Sequence, residues 1–180
     1  MASTHGGPVE TATFASGCFW GTEHIFLKKY PPQEGKGILK TRVGYTGGRD
    51  DAENPSYQDV CTGRTGHAEA VRIDFDPEKV SYGELVEYFY CTHDPTTVNR
   101  QGADTGTQYR SAIFYHSPEQ KRIAEQVTQD VQKAHFDRRN AKIVTSIEPA
   151  GMWYDAEEYH QEYLFKNPSG YQCPTHREHW

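Results

Sequence analysis

One thiol stands apart by its setting. Gly17-Cys18-Phe19-Trp20-Gly21 places Cys18 between a β-prone run at residues 11–16 and a helix-compatible run at 22–29 that Pro31-Pro32 stops. At a helix start, unpaired backbone N–H groups and the positive end of the helix dipole favour the thiolate, the nucleophilic form of cysteine. Glycines on both sides leave room for a substrate, and Phe19 and Trp20 offer an aromatic wall for a small apolar group. Two adjacent large aromatics one turn into a helix cannot both point inward, so at least one is expected to line a cleft. The plainer alternative is a buried, inert Cys18 with both rings in the core.

Glu69 is the second candidate. Residues 68–75 alternate so that Glu69, Val71, Ile73 and Phe75 share one face, the period of a half-buried strand. A carboxyl on that apolar face must be protonated or strongly paired. Desolvation raises its pKa, and a neutral Glu beside a thiol is a proton donor. A salt bridge to Arg72 or Arg42 at an edge is the competing reading. Tyr57 and Tyr109 follow glycine- or proline-bearing loops from which hydroxyls can reach an oxygen near Cys18, although most of the 12 tyrosines must simply pack. Asp104, between Gly102 and Gly106, reads as a turn carboxylate by default.

Cys173 follows the breaker-rich Asn167-Pro168-Ser169-Gly170. A mobile segment can bring a second thiol to an oxidised first one, as a resolving cysteine does. Cys61 in a short turn and Cys91 at a helix end have no evident base and read as inert. His160 and Tyr163, one turn apart on the last helix candidate, form a pair more often used for packing than for catalysis.

Positioning these groups falls to a regular succession of elements. Strands are expected at 11–16, 38–45, 68–75, 109–116 and 141–148, and helices at 22–29, 81–92, 118–136 and 155–166, with one helical turn at 57–61. Ser81-Tyr82-Gly83-Glu84 and Ser117-Pro118-Glu119-Gln120 have capping-box spacing at two of the helix starts. The order strand, helix, strand, strand, helix, strand through His116 matches a split βαβ unit with helices on one face of the sheet. The expected fold is therefore α+β. It is a two-layer sandwich around a ferredoxin-like split βαβ core, with a mixed, largely antiparallel sheet and an extended C-terminal segment. A single catalytic domain spans 1–180, with 167–180 a flexible tail that carries Cys173.

Composition narrows the function classes. A chain of 180 residues suits one domain with a sizeable core. The net charge of −6, from 19 Lys and Arg against 25 Asp and Glu without a basic block, argues against a nucleic-acid partner. No run approaches the roughly 20 apolar residues of a membrane helix. Residues 1–8 have neither the basic nor the apolar part of a signal peptide, so a cytoplasmic location is expected. The chain is expected to be a soluble monomer. Four scattered cysteines without a Cys-x-x-Cys pair suit neither a disulfide scaffold nor a zinc ribbon, and no metal is expected.

With these residues placed, the sequence closely resembles the peptide methionine sulfoxide reductase A family over nearly its whole length. The matching stretches, in order, are Gly17-Cys18-Phe19-Trp20-Gly21-Thr22-Glu23, Arg42-Val43-Gly44-Tyr45, Thr65-Gly66-His67-Ala68-Glu69, His93-Asp94-Pro95, Gly106-Thr107-Gln108-Tyr109-Arg110-Ser111, and Tyr159-His160-Gln161 through Lys166-Asn167-Pro168. The tail Tyr171-Gln172-Cys173-Pro174-Thr175-His176 resembles fungal members in particular.

The resemblance implies that Cys18 attacks the sulfur of a methionine S-sulfoxide, free or in oxidised proteins and peptides. It implies that Glu69 protonates the departing oxygen, that Tyr57 and Tyr109 polarise it, and that Asp104 orients water or a tyrosine. Phe19 and Trp20 would hold the ε-methyl group, with His160 and Tyr163 in the same substrate site. The Cys18 sulfenic acid would then condense with Cys173 to a disulfide that thioredoxin reduces, with electrons ultimately from NADPH and no bound cofactor. Longer bacterial members carry a further recycling cysteine in the tail, whereas here only Cys173 follows Cys91.

Two other readings are open at this level. A cysteine hydrolase would use Cys18, His160 and Asn167 in papain-like order, although Ala15 stands where that start requires a cysteine. A zinc-binding interaction module would use Cys173, His176 and His179, with a fourth ligand missing.

Overall fold

The computed structural model describes residues 8–180; the chain start used in the signal-peptide argument, residues 1–7, lies outside them. The first half contains β1 (Glu10–Ser16), α1 (Phe19–Lys29), β2 (Ile38–Thr46), α2 (Tyr57–Cys61), β3 (Ala68–Phe75) and α3 (Tyr82–Cys91). The second contains the short strands β4 (Arg100–Gln101) and β5 (Asp104–Thr105), then β6 (Ser111–Tyr115), α4 (Pro118–Val131), β7 (Ser146–Pro149), β8 (Trp153–Asp155) and α5 (Tyr163–Lys166).

Six strands form one sheet in the order β7-β6-β1-β3-β2-β8. Its middle four, β6-β1-β3-β2, pair antiparallel throughout and alternate with α1 and α3 as a ferredoxin-like split βαβ unit, as expected from the element order. β7 pairs parallel with β6 after the α4 crossover, and β8 pairs antiparallel with β2, which makes the sheet mixed.

Strand alternation decides the layers. Phe14 of β1 pairs with Val71 of β3, and its ring stacks on Phe26 of α1 at 5.7 Å and Phe89 of α3 at 5.1 Å. The Glu69-Val71-Ile73-Phe75 face of β3 therefore looks toward the helices. On the other face the strands carry small residues, Ala15, Ala68, Ala70 and Ala112, around Phe114. Helix starts follow the sequence signals: Ser81 accepts the N–H of Glu84, and Ser117 accepts that of Gln120 behind Pro118.

Three boundaries differ from expectation. Residues 107–109 form a 3₁₀ turn after Gly106 at φ +143°, so the ladder begins at Ser111 and Tyr109 stands outside it. The strand expected at 141–148 is confined to 146–149, because Gln132 takes up the Ala141 carbonyl and the Ile143 N–H in place of a neighbouring strand. The last helix candidate is broken into β8, a 3₁₀ turn at Glu158–His160 and the single turn of α5. Between the last two, Glu162 sits at φ +51° while its N–H is held by the buried carboxylate of Glu23 at 2.7 Å.

Candidate active site

Cys18 is the cap residue of α1, at φ −56° and ψ +118°, and turns the chain out of β1. The Cys18 side chain does not cap the helix start. The N–H of Phe19 donates to Glu69 Oε1 at 3.2 Å, which brings the β3 carboxyl against the turn that carries the half-buried thiol.

Glu69 is 1% exposed, and burial pushes its pKa up to about 8; Asp104 adds to the rise and the Phe19 N–H opposes it. Neither arginine considered for an edge salt bridge serves it: Arg42 pairs with Asp155 and Glu158, and Arg72 lies over the Trp153 ring. Glu69 Oε2 has no protein partner, so at neutral pH the residue is an uncharged acid with one oxygen free for a ligand.

The thiol departs from the expectation. Burial raises the Cys18 pKa well above the usual thiol range and the Glu69 charge adds to it, while the N–H groups of Trp20 and Gly21 only partly oppose them. Two amide dipoles do not offset the loss of hydration in a pocket shared with a carboxyl, so the resting sulfur is a thiol. The Glu69 contribution disappears whenever that acid is neutral.

The aromatic pair divides as geometry required. Phe19 is 1% exposed, against the rings of Tyr45 and His160, whereas Trp20 is half-buried with its indole N–H donating to His160 Nδ1 at 2.9 Å. That bond fixes the tautomer of His160, leaving its proton on Nε2. Tyr163 stacks on one face of Trp20 at 3.7 Å between centroids and supports the wall.

Tyr57 begins α2, whose Ser56/Asp59 capping box sets its position, and Glu157 holds its N–H. Its ring lies 4.8 Å from that of His160. Burial raises the pKa of both Tyr57 and Tyr109, and Glu69 adds to the rise in each, so both hydroxyls remain donors beside the acid. Asp104 stands on β5 of the small hairpin with β4, accepts the Tyr171 hydroxyl at 3.0 Å, and acts electrostatically on Cys18, Glu69 and Tyr109. The hairpin, invisible in a glycine-marked loop, thus carries it into the site.

Cys61 is exposed and shares a hydrogen bond with the Tyr57 hydroxyl, so it belongs to the rim of this site; Cys91 is buried against the Trp180 carbonyl. Cys173, expected on a flexible tail, is 3% exposed here, with its thiol 3.7 Å from the Gln101 carbonyl and 3.1 Å from Thr175 Oγ1. Both Cys18 and Cys173 are free thiols.

Several contributors escaped the sequence reading. Glu23 and Gln161 peg the 160–162 corner, Gln161 by exchanging hydrogen bonds with both backbone groups of Val43. Both lie inside the motif stretches, which was the only available signal. Gln101, fully buried between the Asp94 backbone and Thr175, gave none.

The rival chemistries lack their geometry. His160 Nδ1 is committed to Trp20, and Asn167 bonds the Tyr163 carbonyl of its own helix. Cys173, His176 and His179 bond separate backbone carbonyls, those of Gln101, Ser16 and Thr175. Among the described residues no group of three or more His, Cys, Asp or Glu side chains is arranged to hold a metal ion.

Against this geometry, the family described as peptide methionine sulfoxide reductase matches residues 10–179. The chain belongs to that family. A peptide methionine sulfoxide reductase of Schizosaccharomyces pombe is 52% identical over 172 residues, covering 96% of this chain and 98% of the relative. The crystal structure of reduced Mxr1 from Saccharomyces cerevisiae superposes with a TM-score of 0.86 at 42% identity, over 96% of this chain and 93% of that one. Mxr1 in complex with Trx2 aligns over 99% of this chain and 97% of that one, with a TM-score of 0.62 at 28% identity.

Proposed function

We propose that this chain reduces the S-sulfoxide of methionine, free or in oxidised proteins and peptides, with Cys18 as nucleophile, Glu69 as acid and Cys173 as resolving thiol. One observation carries the reading: an uncharged, buried Glu69 hydrogen-bonded to the amide beside Cys18, next to the Trp20 wall.

A sulfoxide oxygen leaves only when protonated. Glu69 gives its proton to that oxygen while the phenols of Tyr57 and Tyr109 donate hydrogen bonds to it. The thiol proton passes to the vacated carboxylate as the Cys18 sulfur attacks the sulfoxide sulfur. Glu69 gives that proton to the hydroxyl, which leaves as water as the S–O bond breaks, and Cys18 is briefly joined to the methionine sulfur as a sulfonium. That water attacks the Cys18 sulfur, the S–S bond breaks, and its released proton returns to Glu69. The sulfoxide gains two electrons and leaves as the thioether. Cys18 loses two and keeps the oxygen as sulfenic acid, so one thiol and one sulfoxide become one sulfenic acid and one thioether. Attack by the Cys173 thiol then expels water and forms the Cys18–Cys173 disulfide.

Thioredoxin reduces that disulfide by dithiol exchange, with NADPH as the ultimate donor and no cofactor held by the chain. The Trx2 complex of Mxr1 supports this partner. The protein works as a cytoplasmic monomer, and no helix among the described residues is long and apolar enough to cross a membrane.

A thioredoxin-coupled assay of NADPH oxidation with each sulfoxide epimer tests the proposal. Turnover of the S epimer alone is expected, since one enzyme type serves each epimer. Turnover of the R epimer alone, or of neither, overturns it.

A further inference from the structure

The glycines flanking Cys18 make room for protein groups rather than substrate: Gly21 seats the C-terminal His176, and Gly17 seats Gln101. A Cβ on Gly21 would collide with the His176 ring at Nδ1, and one on Gly17 would lie 2.7 Å from the Gln101 Cγ. The His176 Nε2–H donates to the Ser16 carbonyl at 2.7 Å, two residues before the nucleophile. Its ring thus fills the notch between the end of β1 and the first turn of α1.

Cys173 moves with that ring. The His176 N–H returns to the Cys173 carbonyl at 3.0 Å, and His179 Nε2–H donates to the Thr175 carbonyl, so residues 173–179 form one compact turn. Within it the Thr175 hydroxyl donates to Gln101 Oε1 at 2.8 Å and the Cys173 thiol rests against the Gln101 backbone. Gln101 is itself fixed by the Asp94 backbone, and its Cβ and Cγ fill the space beside Gly17. The two thiols are therefore held on parts built around the same notch, while the resolving one is covered.

The remaining side of His176 is loosely packed. It borders a cavity of about 390 Å³ together with Gly21, His24, Lys28, Tyr88 and Gln172. Nδ1 is buried there without a partner, which suits a neutral ring. Burial lowers the His176 pKa in agreement, His179 reinforcing and Asp104 and the Ser16 carbonyl opposing; His93 also faces it. Nothing covalent holds the turn down. Where the turn meets the Cys18 loop, one hydrogen bond and the fit of the His176 ring against Gly21 keep it docked. Away from that loop it is held by the Thr175 hydroxyl on Gln101, the His179 N–H on the Cys91 carbonyl at 2.8 Å and the Tyr88 hydroxyl on Glu178 at 3.1 Å.

We propose that His176 is a positioning residue for the resolving step: seated between Gly17 and Gly21 it keeps the Cys173 thiol covered, and its withdrawal frees Cys173 to reach an oxidised Cys18. The role in turnover rests on the assignment of Cys173 as resolving thiol, but docking is measurable without it.

The test is the rate at which iodoacetamide modifies each cysteine of the full-length reduced protein, resolved by peptide mass, in wild type, His176→Ala, His176→Gln and Gly21→Ala. Losing the hydrogen bond and the fit amounts to about tenfold in docking, so Cys173 in His176→Ala and Gly21→Ala should react about tenfold faster. His176→Gln, which keeps a donor for the Ser16 carbonyl, should stay within about twofold of wild type. Exposed Cys61 serves as internal reference and should not change. A Cys173 rate in His176→Ala equal to wild type overturns the proposal, as does a wild-type Cys173 as reactive as Cys61. If alanine at 176 prevents folding, the Gly21→Ala and His176→Gln pair gives the same decision. Failure of Cys173 as resolving thiol would appear separately, as normal thioredoxin-driven cycling of Cys173→Ser.

Discussion

At the scale of single residues, the chemistry turns on one displaced proton affinity. Glu69 is held near pKa 8 by burial, so it is protonated where most carboxyls are not. Replacement by Gln removes the proton but keeps the shape, and the single-turnover rate of sulfoxide reduction should fall about 100-fold, the low end of general-acid effects. Wild-type single-turnover rates should also fall as pH rises through about 8, since the ionised carboxylate has no proton to give and raises the Cys18 pKa further. Rapid-quench measurements across pH check both, and a Glu69→Gln variant with the wild-type rate removes Glu69 from the acid role. The same displacement governs stability. Between the unfolded pKa of about 4.3 and the folded value near 8, the native state binds a proton that the unfolded chain has released. The stabilisation from that proton is complete below the lower value and lost as pH rises through the upper one. Thermal melts should therefore show wild type losing several degrees relative to Glu69→Gln between pH 5 and 9. Parallel curves would mean Glu69 is not buried as an acid.

At the scale of elements, a wall is only as good as the corner behind it. Trp20 faces the site because His160 takes its N–H and Tyr163 backs its ring, and both come from a corner bent through Glu162 at φ +51°. Glu23 holds that corner with one oxygen and Thr41 with the other. Glu23→Ala should therefore raise KM for a sulfoxide peptide about tenfold with a smaller change in kcat, because binding geometry, not proton transfer, is loosened. Steady-state kinetics decide it, and an unchanged KM would show that the corner holds itself. This corner also marks where sequence reading stopped. The alternation of β3 put Glu69 on the apolar face, and two serine caps placed α3 and α4, because those signals are local. Residues 155–166 look helical locally, but the hydrogen bond from Glu162 to Glu23, 139 positions away, breaks the run. Gln101 was illegible for the same reason. The protonated thiol was missed because a helix start is visible in the sequence, whereas the burial and neighbouring carboxyl that outweigh it belong to the folded chain.

At the scale of the whole molecule, a rigid sheet and helix layer present one thiol while a docked segment stores the second. The ferredoxin-like core fixes Cys18 and Glu69 on adjacent inner strands or their ends, whereas Cys173 is reached only through hydrogen bonds and packing. The two half-reactions should therefore separate cleanly. Cys173→Ser leaves every group that touches the sulfoxide in place, so it should release about one equivalent of thioether per enzyme at the wild-type rate and then stop, with Cys18 retaining the oxygen as sulfenic acid. Quench-flow counting of product, with peptide mass analysis for one added oxygen on Cys18, measures it. Continued turnover with thioredoxin would mean that another thiol resolves. Cys61 is the group to examine then, since it alone of the remaining cysteines is exposed and shares a hydrogen bond with the site hydroxyl of Tyr57. In that case Cys61→Ser on the Cys173→Ser background should restore the single-equivalent burst.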